Sequence, residues 1–263
     1  MRADVWLVAH GFASSRSRAK RLIDDGTVTR NGSPIRKASE ELPEDAAGEI
    51  TVSERMPYVG RGGLKLEAAL DAFGLDVSGR SALDIGASTG GFTDCLLQRG
   101  AKCVCAVDAG KGQLAAKLRD DPRVRSLERC NARDLTAETI GGRVSLIVMD
   151  VSFISATYII PRFPELLTQN GDAVCLVKPQ FEVGRERIGK GGIVKDPRSH
   201  RFAVERVLSS GREAGLHPVG LIPSPIEGGD GNREFLVRFR LSDDLPEVGS
   251  DLVAAVTEKE KRR

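Results

Sequence analysis

The sequence predicts an α/β protein in which a small N-terminal α+β domain precedes a doubly wound, mostly parallel, Rossmann-like sheet domain. The length of 263 residues suffices for one large and one small domain, and 40% hydrophobic with 29% charged residues is an ordinary globular composition. From residue 60 onwards, apolar strand candidates alternate with helix-length segments, which favours a parallel sheet. Charged residues are distributed unevenly over the first 54 residues. Residues 1–39 hold eight Lys and Arg against three Asp, whereas residues 40–54 hold six acidic residues and no basic one, so we expect a polyanion-facing surface at the N-terminus.

The same bulk features exclude several classes of protein. The longest apolar stretches fall well short of the roughly 18–20 residues that cross a bilayer, and the N-terminus lacks the long apolar core of a signal peptide. We therefore expect a cytoplasmic protein. The five cysteines form no C-x-x-C pair and are odd in number, which favours small core residues over zinc or disulfide roles, so no metal is expected. They are Cys95, Cys103, Cys105, Cys130 and Cys175.

The first segment of the chain is predicted to contain two helices and a small sheet. A short helix opens the chain, and a second one, SRSRAKRLIDD, begins at a cap formed by Ser15 and ends at Gly26. Two short strands flank the turn Asn31-Gly32, and a third strand is expected at residues 48–52. A module of this size is too small to hold a catalytic cleft of its own.

Several residues of this segment form a pattern that is typical of one known domain. They are Arg2, Asp4, Leu7, Ser15-Arg16, Ala19, Leu22-Ile23, Gly26-Thr27-Val28 and Asn31-Gly32. On these residues, positions 1–53 resemble the S4 RNA-binding domain, and the resemblance implies that basic side chains contact RNA phosphates. A basic but merely solvated helical hairpin remains the alternative. The candidate RNA contacts are Arg2, Arg16, Arg18, Lys20, Arg21 and Arg30 here, and Arg61, Arg133 and Arg185 beside cleft-forming motifs further along the chain.

Three further segments follow this first domain, which we assign to residues 1–54. Residues 55–59 are expected to be a linker stiffened by its proline, and residues 60–242 to form the sheet domain. The last apolar stretch is expected to add antiparallel at an edge of the sheet, and residues 243–263 to form a charged tail that is helical or frayed. The strand candidates are, in order, SALDIG, CVCAVD, VRSLER, VSLIVMD, DAVCLVK, GLHPVGLI and EFLVRFR.

A glycine-rich turn, LDIGASTGGF, follows the first strand of the sheet domain. Glycines let backbone N–H groups approach a ligand closely, and open parallel sheets bind ligands at the carboxyl ends of their strands. Asp84 precedes the turn, Asp108 ends the next strand where it can bind ribose hydroxyls, and Asn131 follows the third strand. The glycine spacing differs from the G-x-G-x-x-G of nicotinamide-binding proteins, and the combination predicts an S-adenosylmethionine pocket. The expected cofactor contacts are Asp84, Gly86, Ala87, Ser88, Thr89, Gly90, Gly91, Phe92, Asp108, Asn131 and Asp150.

Four charged residues lie at the ends of predicted elements. Asp150 closes the strand SLIVMD, and Lys178 ends VCLVK just before a proline. Lys65 lies in the helix that precedes the glycine turn, and Glu234 opens the last strand. Each alone has an ordinary explanation as a solvated lysine or a salt-bridge partner. In this order, however, they resemble the Lys-Asp-Lys-Glu tetrad of FtsJ-like ribose 2′-O-methyltransferases, and the resemblance implies that all four are catalytic.

Lys178 is the residue that we expect to handle the 2′-hydroxyl group of the substrate. Crowded by Lys65 and ordered by the two carboxylates, it would orient the hydroxyl and take or stabilise its departing proton. The loop after it, FEVGRERIGKGGIVKDPRSH, is long, glycine-rich and basic, so we expect a mobile flap that closes on RNA. Pro197 is expected to begin the next helix.

Longer motifs are distributed over nearly the whole chain. They are YVGRGGLKLEAAL, DIGASTGGFTDCLL, MDVSFIS, LVKPQFE, GKGGIVKDP and SPIEGGDGNREFL. On these motifs, residues 1 to about 241 resemble the TlyA family of rRNA 2′-O-methyltransferases. The resemblance implies S-adenosylmethionine-dependent methylation of cytidine ribose in the large-subunit RNA, and in some members also in the small-subunit RNA. Ribosomal RNA or a ribosomal subunit would be the partner, no membrane is implied, and no protein partner is indicated.

Three alternatives remain open at this point. The first is a methyltransferase that acts on another RNA target, a small molecule or a base carbon, but base-carbon chemistry commonly uses a cysteine, and Cys175 lies inside a strand. The second is a membrane-active protein, because proteins that resemble this family have been called hemolysins; no bilayer-length segment or basic amphipathic helix of membrane-binding strength supports it. The third is a nicotinamide dehydrogenase, which the glycine spacing disfavours.

Overall fold

The computed structural model describes residues 1–52, 56–242 and 245–258, apart from the side chain of Arg21. It divides into two compact units, Met1–Arg61 and Gly62–Arg263. Residue 55 of the expected linker and residues 243–244 and 259–263 of the expected tail lie outside the described residues.

The first unit contains two helices and a three-stranded antiparallel sheet. The Asn31-Gly32 turn has φ angles of 50° and 78° at its two residues, as a two-residue hairpin of this type requires. Ser15 Oγ accepts a hydrogen bond from the backbone N–H of Arg18 and so caps the second helix. These elements confirm the predicted helices and hairpin. They are α1 (Ala3–Ala9), α2 (Arg16–Asp24), β1 (Val28–Arg30), β2 (Ser33–Pro34) and β3 (Ile50–Val52), with the strand order β2-β1-β3.

An apolar core holds the first unit together. Trp6 and Leu7 of α1 are fully buried against Ala19 and Ile23 of α2, and Val28 joins them from the sheet. The spacing of these residues along each helix places them on one face, as the sequence predicts. The basic face of α2 is therefore left to solvent.

The second unit contains a seven-stranded sheet within the described residues. Its strands are β4 (Ser81–Ile85), β5 (Cys103–Val107), β6 (Val124–Leu127), β7 (Val144–Met149), β8 (Leu167–Val177), β9 (His217–Pro223) and β10 (Phe235–Arg240). Its helices are α3 (Gly62–Ala72), α4 (Gly91–Gln98), α5 (Ala116–Arg119), α6 (Ala137–Ile140), α7 (Phe163–Leu166), α8 (Pro179–Glu182), α9 (Pro197–Glu213) and α10 (Ser250–Thr257). All seven strand predictions are confirmed, and α9 begins at Pro197 as expected.

The strand order of this sheet is β6-β5-β4-β7-β8-β10-β9. The pairs from β6 to β8 are parallel, and β10 is antiparallel to both of its neighbours. Leu83, Asp84 and Ile85 of β4 are consecutive and fully buried, as expected for a parallel strand that is covered on both faces. The chain leaves β4 in one direction towards β6 and returns to place β7 on its other side. A topological switch point therefore lies between β4 and β7, where open sheets bind their ligands.

The position of β10 corrects the prediction that this strand lies at an edge. It lies between β8 and β9, and β9 forms the edge. Phe235, Val237 and Phe239 of β10 are fully buried, and the strand pairs with β8 on one side and with β9 on the other. By contrast, β9 contains Pro218 and Pro223, and a residue without an N–H donor is tolerated best at a sheet edge.

The cysteines are only partly the core residues that the sequence predicts. Cys95, Cys105 and Cys175 are buried, whereas Cys103 is exposed and Cys130 is half-buried. Cys103 begins β5, so its side chain lies at the end of the strand and is not covered by the core. None of the five forms a disulfide.

The C-terminal segment of the second unit includes a helix. Helix α10 packs against α9 and β9 and buries Val253 and Thr257. The side chain of Arg233 donates hydrogen bonds to the carbonyl oxygens of Val256 and Glu258 at the end of α10. The expected tail is therefore helical in part and is attached to the sheet domain.

Candidate active site

Polar residues follow the strands of the second unit where each strand ends. Parallel pairing of β4, β5, β7 and β8 brings their carboxyl ends to the same edge of the sheet. Glu234 joins this edge from the antiparallel strand β10, because Phe235 pairs with Val177 at the end of β8. The residues collected at the edge are Gly86, Asp108, Asp150, Lys178 and Glu234.

Two ion pairs connect the four residues of the predicted tetrad. Lys65 Nζ lies 2.5 Å from Oε2 of Glu234, and Lys178 Nζ lies 2.5 Å from Oδ1 of Asp150. Lys178 Nζ also donates a hydrogen bond of 2.8 Å to the hydroxyl oxygen of Ser152. The structure thus assigns a carboxylate partner to each lysine, whereas the sequence predicts that Lys65 crowds Lys178.

The two ion pairs differ in their exposure to water. The side chains of Lys65 and Glu234 are 9% and 2% exposed, whereas those of Lys178 and Asp150 are 12% and 22% exposed. Burial raises the pKa of Glu234 above its ordinary value, and the charge and hydrogen bond of Lys65 oppose that rise. The ion pair of Lys65 and Glu234 is therefore more shielded from water than the ion pair of Lys178 and Asp150.

A cavity of about 540 Å³ opens beside the switch point. Asp108 lines it, and its two carboxylate oxygens accept backbone hydrogen bonds from Ser88 and Gly110. A carboxylate offers about four acceptor positions, so two remain for a ligand. Asn131 also lines the cavity, and its side-chain oxygen accepts a hydrogen bond from the backbone of Arg133. Apolar walls complete the cavity, including Val107, Val151, Ile154 and Ile159.

Gly86 is required for the shape of this cavity. Its φ angle is +82°, and a Cβ atom at this position would lie 2.3 Å from the carbonyl oxygen of Asp150. The backbone of the turn after β4 therefore approaches the end of β7 more closely than any other residue would allow. Ser88 adopts a φ of 49° in the same turn, which turns its N–H towards Asp108.

Asp84 lies beneath the cavity and does not line it. The carboxylate is fully buried, Oδ2 accepts a hydrogen bond of 2.6 Å from the hydroxyl of Thr93, and Oδ1 has no hydrogen-bond partner among the described residues. Burial raises the pKa of Asp84 to about 7, and the charges of Asp150 and Asp108 add to that rise. The sequence predicts that Asp84 contacts the cofactor directly, whereas in the structure it is fully buried and does not line the cavity, and its burial favours the protonated form.

The other predicted cofactor residues fall into two groups. Gly86, Ser88, Asp108, Asn131 and Asp150 line the cavity. The remaining residues of the glycine turn and the first residues of α4, which begins at Gly91, do not line it. A side chain at Gly90, for example, would meet Leu114 and Leu118. Of these residues, Ala87, Gly90, Gly91 and Phe92 are buried, whereas Thr89 is exposed.

A second cavity of about 310 Å³ lies next to the first. Lys178 and Glu234 line it together with the aromatic side chain of Phe181. Ser152 and Phe153 line both cavities and therefore mark the place where they meet. The tetrad thus lies between a cavity beside the glycine turn and a cavity beside the loop after β8.

Phe153 has an unusual conformation for a large side chain. It is 92% exposed, its φ angle is +65°, and its ring lies 5.4 Å from the ring of Phe181. Positive φ is costly for a residue with a Cβ atom, and such residues concentrate at functional sites. Phe153 and Ser152 belong to the motif MDVSFIS, but no pattern in the sequence predicts that either residue lies at the site.

A buried carboxylate fixes the loop that carries Ser152 and Phe153. Glu182, at the end of α8, accepts hydrogen bonds from the hydroxyl of Ser155 and from the backbone N–H of Ala156. Burial raises the pKa of Glu182, and these two hydrogen bonds oppose that rise. Since α8 directly follows Lys178, Glu182 ties the loop after β7 to the segment after β8. This contact was not predicted.

The glycine-rich segment after α8 is fastened at its far end. Asn232 is 1% exposed, accepts a hydrogen bond from the backbone N–H of Val194 and donates one to the carbonyl oxygen of Gly192. His200 contacts the carbonyl oxygen of Val194. Arg185 lies within this segment and is exposed.

The predicted RNA contacts of the first unit are held in different ways. Arg2 and Arg16 both donate hydrogen bonds to Asp4, and these bonds lower the pKa of Asp4 to about 2. Arg30 forms an ion pair of 2.6 Å with Glu49. The guanidinium groups of these three arginines are therefore oriented by carboxylates but remain partly exposed.

The remaining candidates have other surroundings. Arg18 and Lys20 are exposed on α2, and Arg61 is half-buried near Gly26. Arg133 is exposed beside Asn131 at the first cavity. The side chain of Arg21 lies outside the described residues.

In the described ranges, no helix is long and apolar enough to cross a membrane. Over the same ranges, no group of three or more His, Cys, Asp or Glu side chains is arranged to hold a metal ion.

Two family models match the chain. The S4 domain model matches residues 1–46, and the FtsJ-like methyltransferase model matches residues 58–241. The 16S/23S rRNA (cytidine-2′-O)-methyltransferase TlyA of Mycobacterium tuberculosis is 46% identical over 92% of this chain and 91% of its own length. Hemolysin A of Brachyspira hyodysenteriae is 42% identical over 91% of this chain and 99% of its own length. A solved structure from Streptococcus thermophilus, described as a hemolysin, has a TM-score of 0.75 and 42% identity, and it covers 98% of this chain and 94% of that one.

Proposed function

The chain belongs to the FtsJ-like methyltransferase family, and from this premise we propose that it methylates the ribose 2′-hydroxyl of cytidine in ribosomal RNA, using S-adenosylmethionine. One observation carries the proposal. Two ion pairs lie at the junction of two cavities, where a cofactor and a nucleoside can lie side by side. They are formed by Lys178 with Asp150 and by Lys65 with Glu234. We take cytidine as the target nucleoside and ribosomal RNA as the substrate from the activity for which the TlyA relative is named.

The first cavity fits S-adenosylmethionine in its chemistry. Asp108 would hold the ribose hydroxyls, because its carboxylate is oriented by two backbone donors and keeps acceptor capacity. Asn131 would hold the adenine edge, and the apolar walls would cover the ring. Gly86 lets the turn after β4 approach the end of β7 closely, and Asp150 lines the cavity there. When bound, the cofactor supplies a methyl group on a positively charged sulfur.

Lys178 is the residue that we assign to the 2′-hydroxyl. Lys178 Nζ donates a hydrogen bond to Ser152 and forms an ion pair with Asp150. In the neutral form that acts as a base, the amine has two N–H donors and one lone pair, and the lone pair is left for the substrate hydroxyl. Because a ribose hydroxyl is a weak acid, a base placed on its oxygen is needed as the new bond to carbon forms. Lys178 accepts this proton, and Asp150 stabilises the ammonium group that results.

The buried ion pair of Lys65 and Glu234 supports this arrangement. Lys65 neutralises Glu234, which otherwise would leave a buried negative charge beside Lys178. Glu234 and Lys178 line the same cavity, so the carboxylate also contributes to the field at the substrate oxygen. The exposed ring of Phe153 offers a surface on which a base can stack.

The S4 domain provides the RNA affinity in this proposal. Basic residues of α2 contact phosphates, and this contribution does not depend on the base sequence. The cytoplasm, where ribosomal RNA is found, is the compartment that the proposal implies.

The proposal is tested by treating ribosomal RNA from cells that lack this protein with the purified protein and a methyl-labelled cofactor. Mass spectrometry of the digested RNA should detect 2′-O-methylcytidine at one or a few positions. A methyl group on a base, or labelling of other RNA but not of ribosomal RNA, would contradict it.

A further inference from the structure

Two arginines of the first unit share one buried carboxylate. Arg2 Nε donates a hydrogen bond of 3.0 Å to Oδ1 of Asp4, and Arg2 Nη2 donates one of 3.3 Å to Oδ2. Arg16 Nε and Nη2 donate hydrogen bonds of 3.2 and 2.8 Å to the same Oδ2 atom. The side chain of Asp4 is 6% exposed, whereas those of Arg2 and Arg16 are 49% and 62% exposed. One shielded carboxylate therefore holds two neighbouring guanidinium groups that remain open to solvent.

The hydrogen bonds to Asp4 leave donors on both guanidinium groups. An arginine side chain carries five N–H groups in a fixed planar arrangement. Arg2 and Arg16 each use only Nε and Nη2 on Asp4, and among the described residues neither side chain makes a further hydrogen bond. The N–H groups of Nη1 and the second N–H group of Nη2 remain on each. They form the fork that matches two oxygen atoms of a phosphate group.

The backbone that carries these three side chains is fixed. Asp4 lies in the first turn of α1, and its N–H group donates a hydrogen bond to the carbonyl oxygen of Ala38. Arg2 forms an antiparallel bridge with Glu41, and Arg16 is the first residue of α2. Donors that are already ordered lose less conformational entropy when they bind a ligand. The two guanidinium groups are therefore better placed to bind a ligand than solvated arginines would be.

The cluster of Asp4 and its two arginines keeps a net positive charge. One guanidinium group is enough to neutralise one carboxylate, so the second leaves an unbalanced charge. Glu41, another carboxylate near Arg2, pairs with the N-terminal ammonium group of Met1 at 3.0 Å. The exposed Arg18 and Lys20 follow along α2. The ligand that fits this surface is an anion with planar pairs of acceptor oxygens, such as the phosphate groups of a nucleic acid.

We propose that Asp4 is a positioning residue that holds Arg2 and Arg16 as one clamp for a phosphate group of the RNA backbone. The inference rests on the proposed function, since that function makes RNA the ligand of the first unit. It goes further, because it assigns to a negatively charged residue a role in strengthening RNA binding. Charge alone predicts the opposite, since removal of a negative charge strengthens the attraction to phosphates. The two explanations therefore differ in the sign of the effect.

The test measures the binding of fluorescently labelled ribosomal RNA to full-length variants at several salt concentrations. Asp4→Asn removes the charge of the carboxylate, and Asp24→Asn makes the same change in charge at an exposed position of α2. Arg16→Lys keeps the charge but removes the fork, and Arg119→Lys does so at an exposed site of the second unit. Trp6 is the one tryptophan of the chain and is buried in the core of the first unit, so its fluorescence reports whether that unit is folded.

Asp4→Asn should raise the dissociation constant at least about fivefold and reduce the slope of log K against log salt by about one, because a phosphate contact is lost. Arg16→Lys should also raise the dissociation constant at least about fivefold, since a lysine cannot replace the fork. The double variant should bind no more than about twofold weaker than Asp4→Asn alone, because both changes break the same clamp. Asp24→Asn should bind at least as tightly as the wild type, and Arg119→Lys should match it.

Two results would overturn the inference. They are unchanged or tighter RNA binding by folded Asp4→Asn, and wild-type affinity of Arg16→Lys, because the arginines would then act as separate charges. If Asp4→Asn does not fold, Arg16→Lys decides alone. Methylation of the same RNA by the wild type is measured in parallel. Weaker binding by the variants without any methylation by the wild type contradicts the proposed function and leaves the clamp, whereas methylation with unchanged binding by the variants does the reverse.

Discussion

Lys178 and Asp150 lie one residue beyond the ends of two neighbouring parallel strands, and their side chains meet with Nζ 2.5 Å from Oδ1. Parallel pairing of β7 and β8 places the two residues at one sheet edge, so the contact follows from the register of the sheet. Glu234 reaches the same edge because β10 runs in the opposite direction beside β8. The geometry of the site is thus determined by the topology of three central strands.

The buried pair of Lys65 and Glu234 should be needed for stability. Replacing Glu234 by Ala leaves the ammonium group of Lys65 buried without its carboxylate, and we expect a loss of about 3–5 kcal/mol in the free energy of unfolding. Urea denaturation followed by circular dichroism measures this loss. The double replacement Lys65→Met and Glu234→Leu removes both charges and should restore most of the stability.

An exposed pair provides the control for this prediction. Arg201 and Glu205 form an i,i+4 ion pair on α9, with both side chains close to half-exposed. Glu205→Ala should change the free energy of unfolding by less than about 1 kcal/mol. Equal losses for Glu205→Ala and Glu234→Ala would show that burial does not matter here.

Asp84 should make the stability of the protein depend on pH. The carboxyl releases its proton near pH 3.8 in an unfolded chain but near pH 7 in the folded protein, so unfolding releases a proton between these values. The stabilisation is therefore fully present below pH 3.8 and is lost as the pH rises through about 7. Each pH unit in this window should cost at most about 1.4 kcal/mol. Asp84→Asn should remove this part of the pH dependence, whereas Asp120→Asn, at an exposed position, should leave it unchanged.

The first cavity could largely be predicted from the sequence, because local patterns determine it. Asp108 and Asp150 each follow an apolar run, Asn131 follows the third strand, and residues after parallel strands share one edge of the sheet. The burial of Asp84 could not be predicted in this way. Its neighbours in β4, Leu83 and Ile85, are also buried. A run of residues that are all buried does not show whether a carboxylate within it points into the core or towards the cavity.

Phe153 should be needed for RNA methylation and not for cofactor binding. Phe153→Ala removes the exposed ring, and since stacking on one base contributes about 1–3 kcal/mol, kcat/KM should fall by about 5- to 150-fold. Phe153→Tyr keeps the ring and should retain activity. Tyr158→Ala, which removes an exposed ring away from both cavities, serves as the control. Equal kinetics for Phe153→Ala and the wild type would contradict a stacking role.

Arg18 and Lys20 should contribute to RNA affinity through phosphate contacts. Both are exposed on α2, and changing both to Glu should weaken RNA binding and reduce the slope of log K against log salt by about one for each lost contact. Fluorescence anisotropy with labelled ribosomal RNA at several salt concentrations measures both effects. Arg119→Glu with Arg143→Glu, two exposed sites of the second unit, makes the same change in charge. Identical salt slopes for the two double variants would exclude a specific role of α2.

Contacts between residues far apart in sequence were beyond prediction from local patterns. Lys65 and Glu234 are separated by 169 positions, and only the resemblance to a known tetrad joined them. The roles of Ser152 and Phe153 depend on a positive φ angle and on two cavities that appear only when the chain is folded. For the same reason, the sequence shows that Arg2, Arg16 and Arg30 are basic but not that carboxylates orient them.

Lys178 is the residue on which the proposed chemistry depends most. Lys178→Ala removes the group that accepts the 2′-hydroxyl proton and leaves the first cavity lined as before. Lys102→Ala makes the same substitution at an exposed residue just before β5, at the opposite end of that strand from Asp108. Both variants should bind S-adenosylmethionine with a dissociation constant within about twofold of the wild type, a change in binding free energy well below 1 kcal/mol.

The most direct measurement is therefore the single-turnover rate of 2′-O-methylation of ribosomal RNA with saturating cofactor. Lys178→Ala should be slower than the wild type by at least about a hundredfold, while Lys102→Ala should match the wild type. A rate for Lys178→Ala within a few-fold of the wild type would contradict the assignment of Lys178 as the base.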